Sequence, residues 1–463
     1  MARNSEIISI HVGQAGCQLG SACWEMFCIE HNIRYDGIVC CEKTASPPGS
    51  FFRDTGASKV VPRGLFVDLE PSVVDEIRTG KYRKLFNPKN LVTGKEDASN
   101  CFAKGYFSPG REILDFLLQR LRSMVEECNH LQGFFIYRAF GGGTGSGLTA
   151  SILESLHEQY PKSILLELSI FPAPKVAMRP DTTLPLVLLS LAADCTTLIL
   201  FQLSSIVVEP YNAALTTHLS LEHSIGTFIV DNEACYDICN RSLDVCNPTF
   251  ANINRLMGHV ISAVTSSLRY EGDVNVDLNE IRTNLIPYPR IQYPLISYAP
   301  LTSQNRAVYE NTSVNSLLGS CFEPAHQMVK CDNRKGKYLS CALLFQGDVV
   351  GSSVNAAISS IKARRAGNFV DWCPTGFKVG INNKPPLNLP DADLYVADRS
   401  CLMLANSTAV RTVWEKIARK FQILYDKRAF LHWYLEEGLE EADFQDTKLD
   451  LEALDMDYRE VEA

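Results

Sequence analysis

Gly141-Gly142-Gly143-Thr144-Gly145-Ser146-Gly147 separates an apolar run, Gly133–Phe140, from a helix-like stretch, Leu148–His157. A strand that feeds a helix through glycines is built to hold an anion. Without Cβ atoms the backbone N–H groups can close on it, and the helix adds unsatisfied N–H groups and the positive end of its dipole. The loop therefore points to a nucleotide. A Walker loop needs a lysine directly after its glycines, and none follows here. The dinucleotide fingerprint fits only as Gly145-x-Gly147-x-x-Ala150 and leaves the preceding glycines unexplained. A flexible linker is the plain alternative, but it would not sit between an apolar strand and an apolar helix.

Working outward, the first half alternates strand and helix patterns. Glu6–Val12 reads as a strand, Gly13–Gly16 as a tight turn, and a helix follows to about His31. Leu65–Leu69 is a second strand, with Ser72 placed to cap a helix Val73–Thr79. In the segment 109–129, Ile113, Leu114, Leu117, Leu118 and Leu121 share one helical face. Strands follow at 133–140, Ile164–Phe171 and Phe228–Asp231, and helices at Glu233–Arg241 and Pro248–Leu268. Repeated βα units of this kind predict an α/β fold with a doubly wound, mostly parallel sheet and ligand loops at the C-terminal ends of its strands. A strand at Tyr338–Gln346 and a helix at Ser353–Lys362 read as a second α/β unit. Beyond Thr408 the chain turns helical, with Val410, Val413, Trp414, Ile417, Phe421 and Leu424 as an apolar stripe and an acidic amphipathic end, Glu436–Glu462. The expected division is 1–232 for the nucleotide, 233–270 as a connector with a core helix, 271–407 as the second α/β unit and 408–463 as a helical region.

Composition narrows the class. The chain has 463 residues, enough for roughly two or three domains. Hydrophobic content of 46% with 21% charged residues is that of an ordinary globular protein. A net charge of −9 argues against nonspecific nucleic-acid binding. No basic region followed by an apolar run opens the chain, so a signal peptide is not expected, and no membrane association is expected. Its sixteen cysteines are scattered without a Cys-x-x-Cys pair and read as reduced core residues rather than disulfides or zinc ligands.

Eight stretches then occur in one order: His11–Gly16, Phe66–Pro71, Gly94–Ala98, the glycine loop, Val208–Asn212, Val230–Glu233, Asn284–Pro289 and Asp371–Lys378. Together they resemble the tubulin family, in register over almost the whole chain. Within that family the chain resembles a divergent α-tubulin. Glu280, in Asn275–Glu280, stands where α-tubulins carry a carboxylate and β-tubulins a lysine. Pro385–Leu394 resembles the longer α-type loop, and Lys43-Thr44 the α-type luminal loop whose lysine is acetylated.

The resemblance implies GTP and Mg²⁺ as cofactors and assigns residues. Gly13, Gln14 and Ala15 would hold phosphates in the first turn, with Glu70 as the carboxylate near Mg²⁺. Ala98, Ser99 and Asn100 would form a phosphate-side loop, and Gly142, Gly143, Thr144 and Gly145 the cradle. Ala139 replaces a serine usual in α-tubulins. Ser205 and Glu209 would lie on the ribose side. Asn232 and Asn254 each offer a donor and an acceptor to guanine, and Phe250 stands where the family stacks a tyrosine. Glu280 would be catalytic, but toward the GTP of the neighbouring β-subunit, where phosphoryl transfer needs a positioned water.

The resemblance further implies a GTPase that works in the assembled polymer, in the cytoplasm and cytoskeleton. Implied partners are β-tubulin, the microtubule lattice, folding chaperones and microtubule-associated proteins. The sequence also departs from the family. Residues 177–203 are extra beside the ribose-side loop, and Arg179, Asp181 and Asp194 make them too polar for a membrane span. The end, Tyr458–Ala463, lacks the glutamate-rich tail, and the start differs from the usual opening. Two functions follow: a lattice subunit, or a nonpolymerising relative whose extra stretch impairs dimerisation. A homopolymeric filament GTPase stands behind both.

Overall fold

The computed structural model describes residues 5–40, 49–56, 59–172, 206–365, 368–372, 376–389, 393–395 and 397–462. The extra stretch 177–203, Ser205 and Lys43-Thr44 lie outside the described residues. The strands are β1 Glu6–Val12, β2 Phe52–Asp54, β3 Val60–Pro62, β4 Gly64–Asp68, β5 Leu91–Thr93 and β6 Leu131–Ala139. They continue with β7 Ile164–Phe171, β8 Gly226–Asp231, β9 Leu295–Ala299, β10 Tyr338–Gly347, β11 Phe377–Asn382 and β12 Arg399–Ser407. Ten form one sheet in the order β11-β10-β12-β9-β8-β7-β6-β1-β4-β5, while β2 and β3 pair separately. From β5 to β9 every neighbouring pair is parallel. The pairs β9–β12 and β12–β10 are antiparallel.

The parallel part is doubly wound, and the alternation of its side chains shows why. Ile7, Phe135 and Tyr137 point into one core, under the helices Gly13–Glu30 and Phe250–Arg269. Their neighbours Ile8, Ile10, Val12, Phe134 and Ile136 point into the other, under Pro109–Glu126 and Thr149–Gln159. Strands covered on both faces are buried along their whole length, as β1, β4 and β7 are. The strands of the segment 271–407 extend this same sheet, joined through the register pair Ile229↔Leu295.

Two element starts differ from the sequence reading. The second helix begins at Pro71, where a missing N–H costs nothing, and its N-cap is Glu70. Ser72 does not cap it; its hydroxyl donates to Glu70 Oε1 at 2.6 Å. The long core helix begins at Phe250, past Pro248, because Asn252 reaches back to accept from the Thr249 N–H at 3.0 Å.

The C-terminal helices Arg411–Asp426, Leu431–Glu436 and Glu441–Glu462 cover one face. The stripe Val413, Trp414, Ile417 and Phe421 is buried with Leu431, Tyr434, Phe444, Leu451 and Leu454 in one cluster. The acidic end is thus an amphipathic helix with its apolar side inward. Among the described residues no helix is long and apolar enough to cross a membrane.

Buried ion pairs help fasten the core. Arg269 on the long helix meets Glu30 Oε2 at 2.5 Å and stacks 4.4 Å over Phe27, tying that helix to Gly13–Glu30. Arg138 on β6 meets Glu167 on β7 at 2.5 Å, and both side chains are fully buried. Burial pushes the Arg138 guanidinium down, and Glu167 draws it back up. Glu167→Gln would leave that cation buried without its counter-charge. Urea unfolding should show a loss of about 3–5 kcal/mol, whereas replacing both residues by apolar side chains of similar volume should cost far less.

Candidate phosphate and nucleotide site

The site forms where the parallel strands end. Gly13, directly after β1, has φ +73°, a conformation that L side chains rarely adopt. A Cβ there would also meet the Gly145 nitrogen at 3.2 Å. The first turn and the glycine loop are therefore in contact. After β6 the loop passes into a wide π-type turn, Thr144–Leu148, before the helix Thr149–Gln159. Wide turns of this kind recur at functional sites. Gly143 lies against the third segment: a Cβ there would stand 2.7 Å from both the nitrogen and the oxygen of Cys101. Gly142 differs, since a Cβ on it would meet nothing within 4 Å. Gly142 is the open face of the cradle.

The third segment carries Ala98, which is buried, and Ser99 and Asn100, which are exposed. Ser99 and Asn100 have φ +48° and +56°, two left-handed residues in succession. Such geometry persists only where its surroundings hold it. Here the Cys101 N–H donates to Ala98 O at 2.8 Å. The amide of Asn212 donates to Asn100 O at 2.7 Å and to Gly141 O at 2.8 Å. Asn212 lies in the stretch Val208–Asn212, yet no sequence pattern points to this role, because its partners are backbone atoms far away in the chain.

The remaining expected residues are distributed around this head. Gln14 is exposed and Ala15 half-buried at the start of the first helix. Ala139 is the half-buried last residue of β6. Glu209 opens the helix Glu209–His223 and lies against Gly141, whose Cβ would meet Glu209 Oε1 at 2.4 Å. Glu70 is an exposed carboxylate just beyond β4. Behind it, burial lifts the Asp68 carboxyl to about 7. Asn232 follows β8 and opens the helix Asn232–Arg241, which Asp231 caps by accepting from the Glu233 N–H at 2.9 Å. Asn254 is half-buried on the long helix. Phe250, at that helix's start, leaves 63% of its surface exposed, an aromatic face available for stacking.

Glu280 stands apart. It lies in the first turn of the helix Leu278–Leu285 and pairs with Lys378 Nζ on β11 at 2.8 Å. Strand β11 is at the sheet edge opposite β4 and β5. Six strand steps separate it from β6, which at the usual spacing is roughly 30 Å. Asp277 is the N-cap of the same helix, and its carbonyl accepts from the Ile281 N–H at 2.9 Å.

The glycine geometry separates two substitutions. Gly143→Ala must push against backbone and should both destabilise the fold and abolish retention of a bound nucleotide. Gly142→Ala should leave urea unfolding of the empty protein within about 1 kcal/mol, the usual helix- or loop-level cost. It should still weaken nucleotide retention, because its methyl occupies the ligand's face. Nucleotide release measured beside unfolding checks both.

Asp231 supplies a pH dependence. Burial lifts its carboxyl to about 7, against the pull of the Glu233 N–H hydrogen bond, with the Glu233 carboxylate adding to the rise. Between about pH 4 and this value the unfolded chain has lost a proton that the folded chain keeps, so stability falls as pH rises through that window. Asp231→Asn retains a capping oxygen and should flatten this part of the stability–pH curve, measured by denaturant unfolding.

Comparison with known families agrees with the geometry. Residues 6–205 match the Tubulin/FtsZ family, GTPase domain. Residues 289–419 match the tubulin C-terminal domain. The first match spans the loops after β1, β5 and β6 that form the cradle, and the second runs from before β9 into the helix Arg411–Asp426. The chain belongs to the tubulin family, as a GTP-binding member with its GTPase domain and its C-terminal domain.

Proposed function

We propose that this chain is an α-type tubulin subunit that keeps GTP at a non-exchangeable site, pairs with β-tubulin and enters microtubules. In this role Glu280 acts on the GTP of the neighbouring β-subunit. The observation that carries the proposal is the separation of Glu280 from the phosphate loops of its own chain, by the breadth of the sheet between β11 and β6. A half-exposed carboxylate at that edge is suited to another subunit's nucleotide. There it would orient the attacking water and take its proton, a contribution on the order of 10²-fold or more. The chain's own GTP would lie out of its reach.

At the cradle, the N–H groups of Gly142, Gly143, Thr144 and Gly145 would face the phosphates, with Gly13, Gln14 and Ala15 opposite and Ala98, Ser99 and Asn100 at the side. Glu209 and Ser205 would meet the ribose, Asn232 and Asn254 the guanine edge, and Phe250 its face. Mg²⁺, bound to the phosphates, would neutralise their charge. Among the described residues no group of three carboxylates, histidines or cysteines is placed to hold a metal unaided. One exposed carboxylate, Glu70, fits a Mg²⁺ that takes its other oxygens from phosphate and water. The division at 1–232, 233–270, 271–407 and 408–463, residence in the cytoplasm and cytoskeleton, and contacts with folding chaperones and microtubule-associated proteins belong to the same proposal.

One observation favours a second reading. Phe171 and Pro172, the last described residues before the extra stretch, line one small cavity with Glu209 and Asp231. Described residues from before and after the extra stretch thus meet beside the proposed ribose pocket. A nonpolymerising relative that binds β-tubulin poorly would follow from crowding there.

Co-purification with β-tubulin, followed by identification of the extracted nucleotide, separates these readings. In the lattice reading the purified chain alone hydrolyses GTP very slowly, and assembly with β-tubulin accelerates hydrolysis. Glu280→Gln should suppress that acceleration by about 10²-fold or more while leaving heterodimers intact. Rapid turnover by the chain alone would remove Glu280 from this role.

A further inference from the structure

We infer that Asn212 and Tyr434 form a positioning pair through which the C-terminal helix Leu431–Glu436 holds both phosphate loops in their binding shape. The inference rests on GTP occupying the glycine cradle. Neither residue faces the open side of the cradle at Gly142; both act through the backbone around it.

Asn212 is completely buried. Its two N–H bonds go to Asn100 O at 2.7 Å and Gly141 O at 2.8 Å. Its oxygen accepts from the Phe102 N–H at 3.1 Å and from the Tyr434 hydroxyl at 2.7 Å. All four hydrogen-bonding places of the amide are filled. Two of the groups it holds decide the shape of the cradle: Asn100 is the second left-handed residue of the side loop, and Gly141 opens the glycine loop. The backbone partners set which end of Asn212 faces which loop, because the Phe102 N–H can only donate and the Asn100 and Gly141 carbonyls can only accept. Tyr434 adds the fourth hydrogen bond and ties the amide, so oriented, to the C-terminal helix.

The tyrosine is itself fixed. Its ring meets those of Tyr211 and Phe444 edge to face, with centroids 5.6 and 5.7 Å away. A second grip lies beside it. Glu437 accepts from the Ser108 hydroxyl and lies 3.8 Å from Lys104 Nζ. Lys104 belongs to the short helix Phe102–Tyr106, where a Cβ on Gly105 would stand 2.3 Å from Gly143 O. The C-terminal segment thus reaches the side loop through Tyr434 and the glycine loop through the Phe102–Tyr106 helix.

The test uses the full-length chain loaded with GTP, alone and with β-tubulin. Tyr434→Phe keeps the ring and removes one hydroxyl. It should raise the rate of GTP release about three- to tenfold, the equivalent of one hydrogen bond, while the denaturation midpoint of the nucleotide-free chain stays close to that of the unmodified one. Asn212→Asp keeps the acceptor and loses both donors, and should release GTP faster still. Because Tyr434 acts through Asn212, the double variant should release GTP no faster than Asn212→Asp alone. Unchanged release from Tyr434→Phe, or additive losses in the double variant, would overturn the pair. If Asn212→Asp does not fold, Tyr434→Phe decides. An unmodified chain that holds no guanine nucleotide would overturn the GTP reading itself; one that holds GTP but ignores Tyr434→Phe overturns only this inference.

Discussion

Three backbone segments meet at the head of the sheet closer than side chains would permit. Gly13 touches Gly145, and Gly143 touches Cys101. With a Cβ at Gly143, the side loop and the glycine loop would have to part. The N–H groups of both would then no longer converge on one volume. The close approach also turns the Asn100 and Gly141 carbonyl groups toward the buried Asn212 amide. Asn212 donates to both at once. The shape of the cradle and the burial of an amide behind it are consequences of the same contact.

The parallel sheet then determines what surrounds the cradle. Its strands all deliver their C-terminal ends to one edge, so loops distant in sequence become neighbours. The helices Gly13–Glu30 and Phe250–Arg269 carry opposite sides of the proposed nucleotide pocket, and the buried Arg269–Glu30 pair locks them together. A buried ion pair is weak support for stability in itself, but breaking one is costly. Its consequence here is geometric: the Gly13–Glu30 and Phe250–Arg269 helices keep one relative position, and the first turn and Phe250 keep theirs.

Much of this was legible in the sequence. The glycine loop announced a cradle because it interrupts a strand–helix pair, and the repeated alternation of strand and helix patterns announced a doubly wound sheet. The stripe from Val413 to Phe421 read correctly because its period is helical and one side is apolar. Other features left no local trace. Ser72 looked like a cap, since capping residues are recognised by type, but Pro71 moves the helix start forward and leaves Glu70 as the cap. The extension of the sheet through Ile229 and Leu295 depends on a pairing that neither strand encodes alone. Asn212 with Tyr434, and Glu280 with Lys378, join residues far apart in the chain, and no spacing rule finds such pairs.

The position of Glu280 gives the proposed chemistry its logic. A carboxylate beside the phosphates of its own chain would face two costs. It would repel the negative charge that the cradle gathers, and it would act whether or not a partner were present. Placed at the far edge of the sheet and held by Lys378, it avoids both. Lys378 also supplies a counter-charge near Glu280 while no other nucleotide is at hand. On this reading the cradle and the carboxylate are halves of two different active sites, each completed by a neighbour. Hydrolysis then reports assembly because the structure separates the two halves within a single chain.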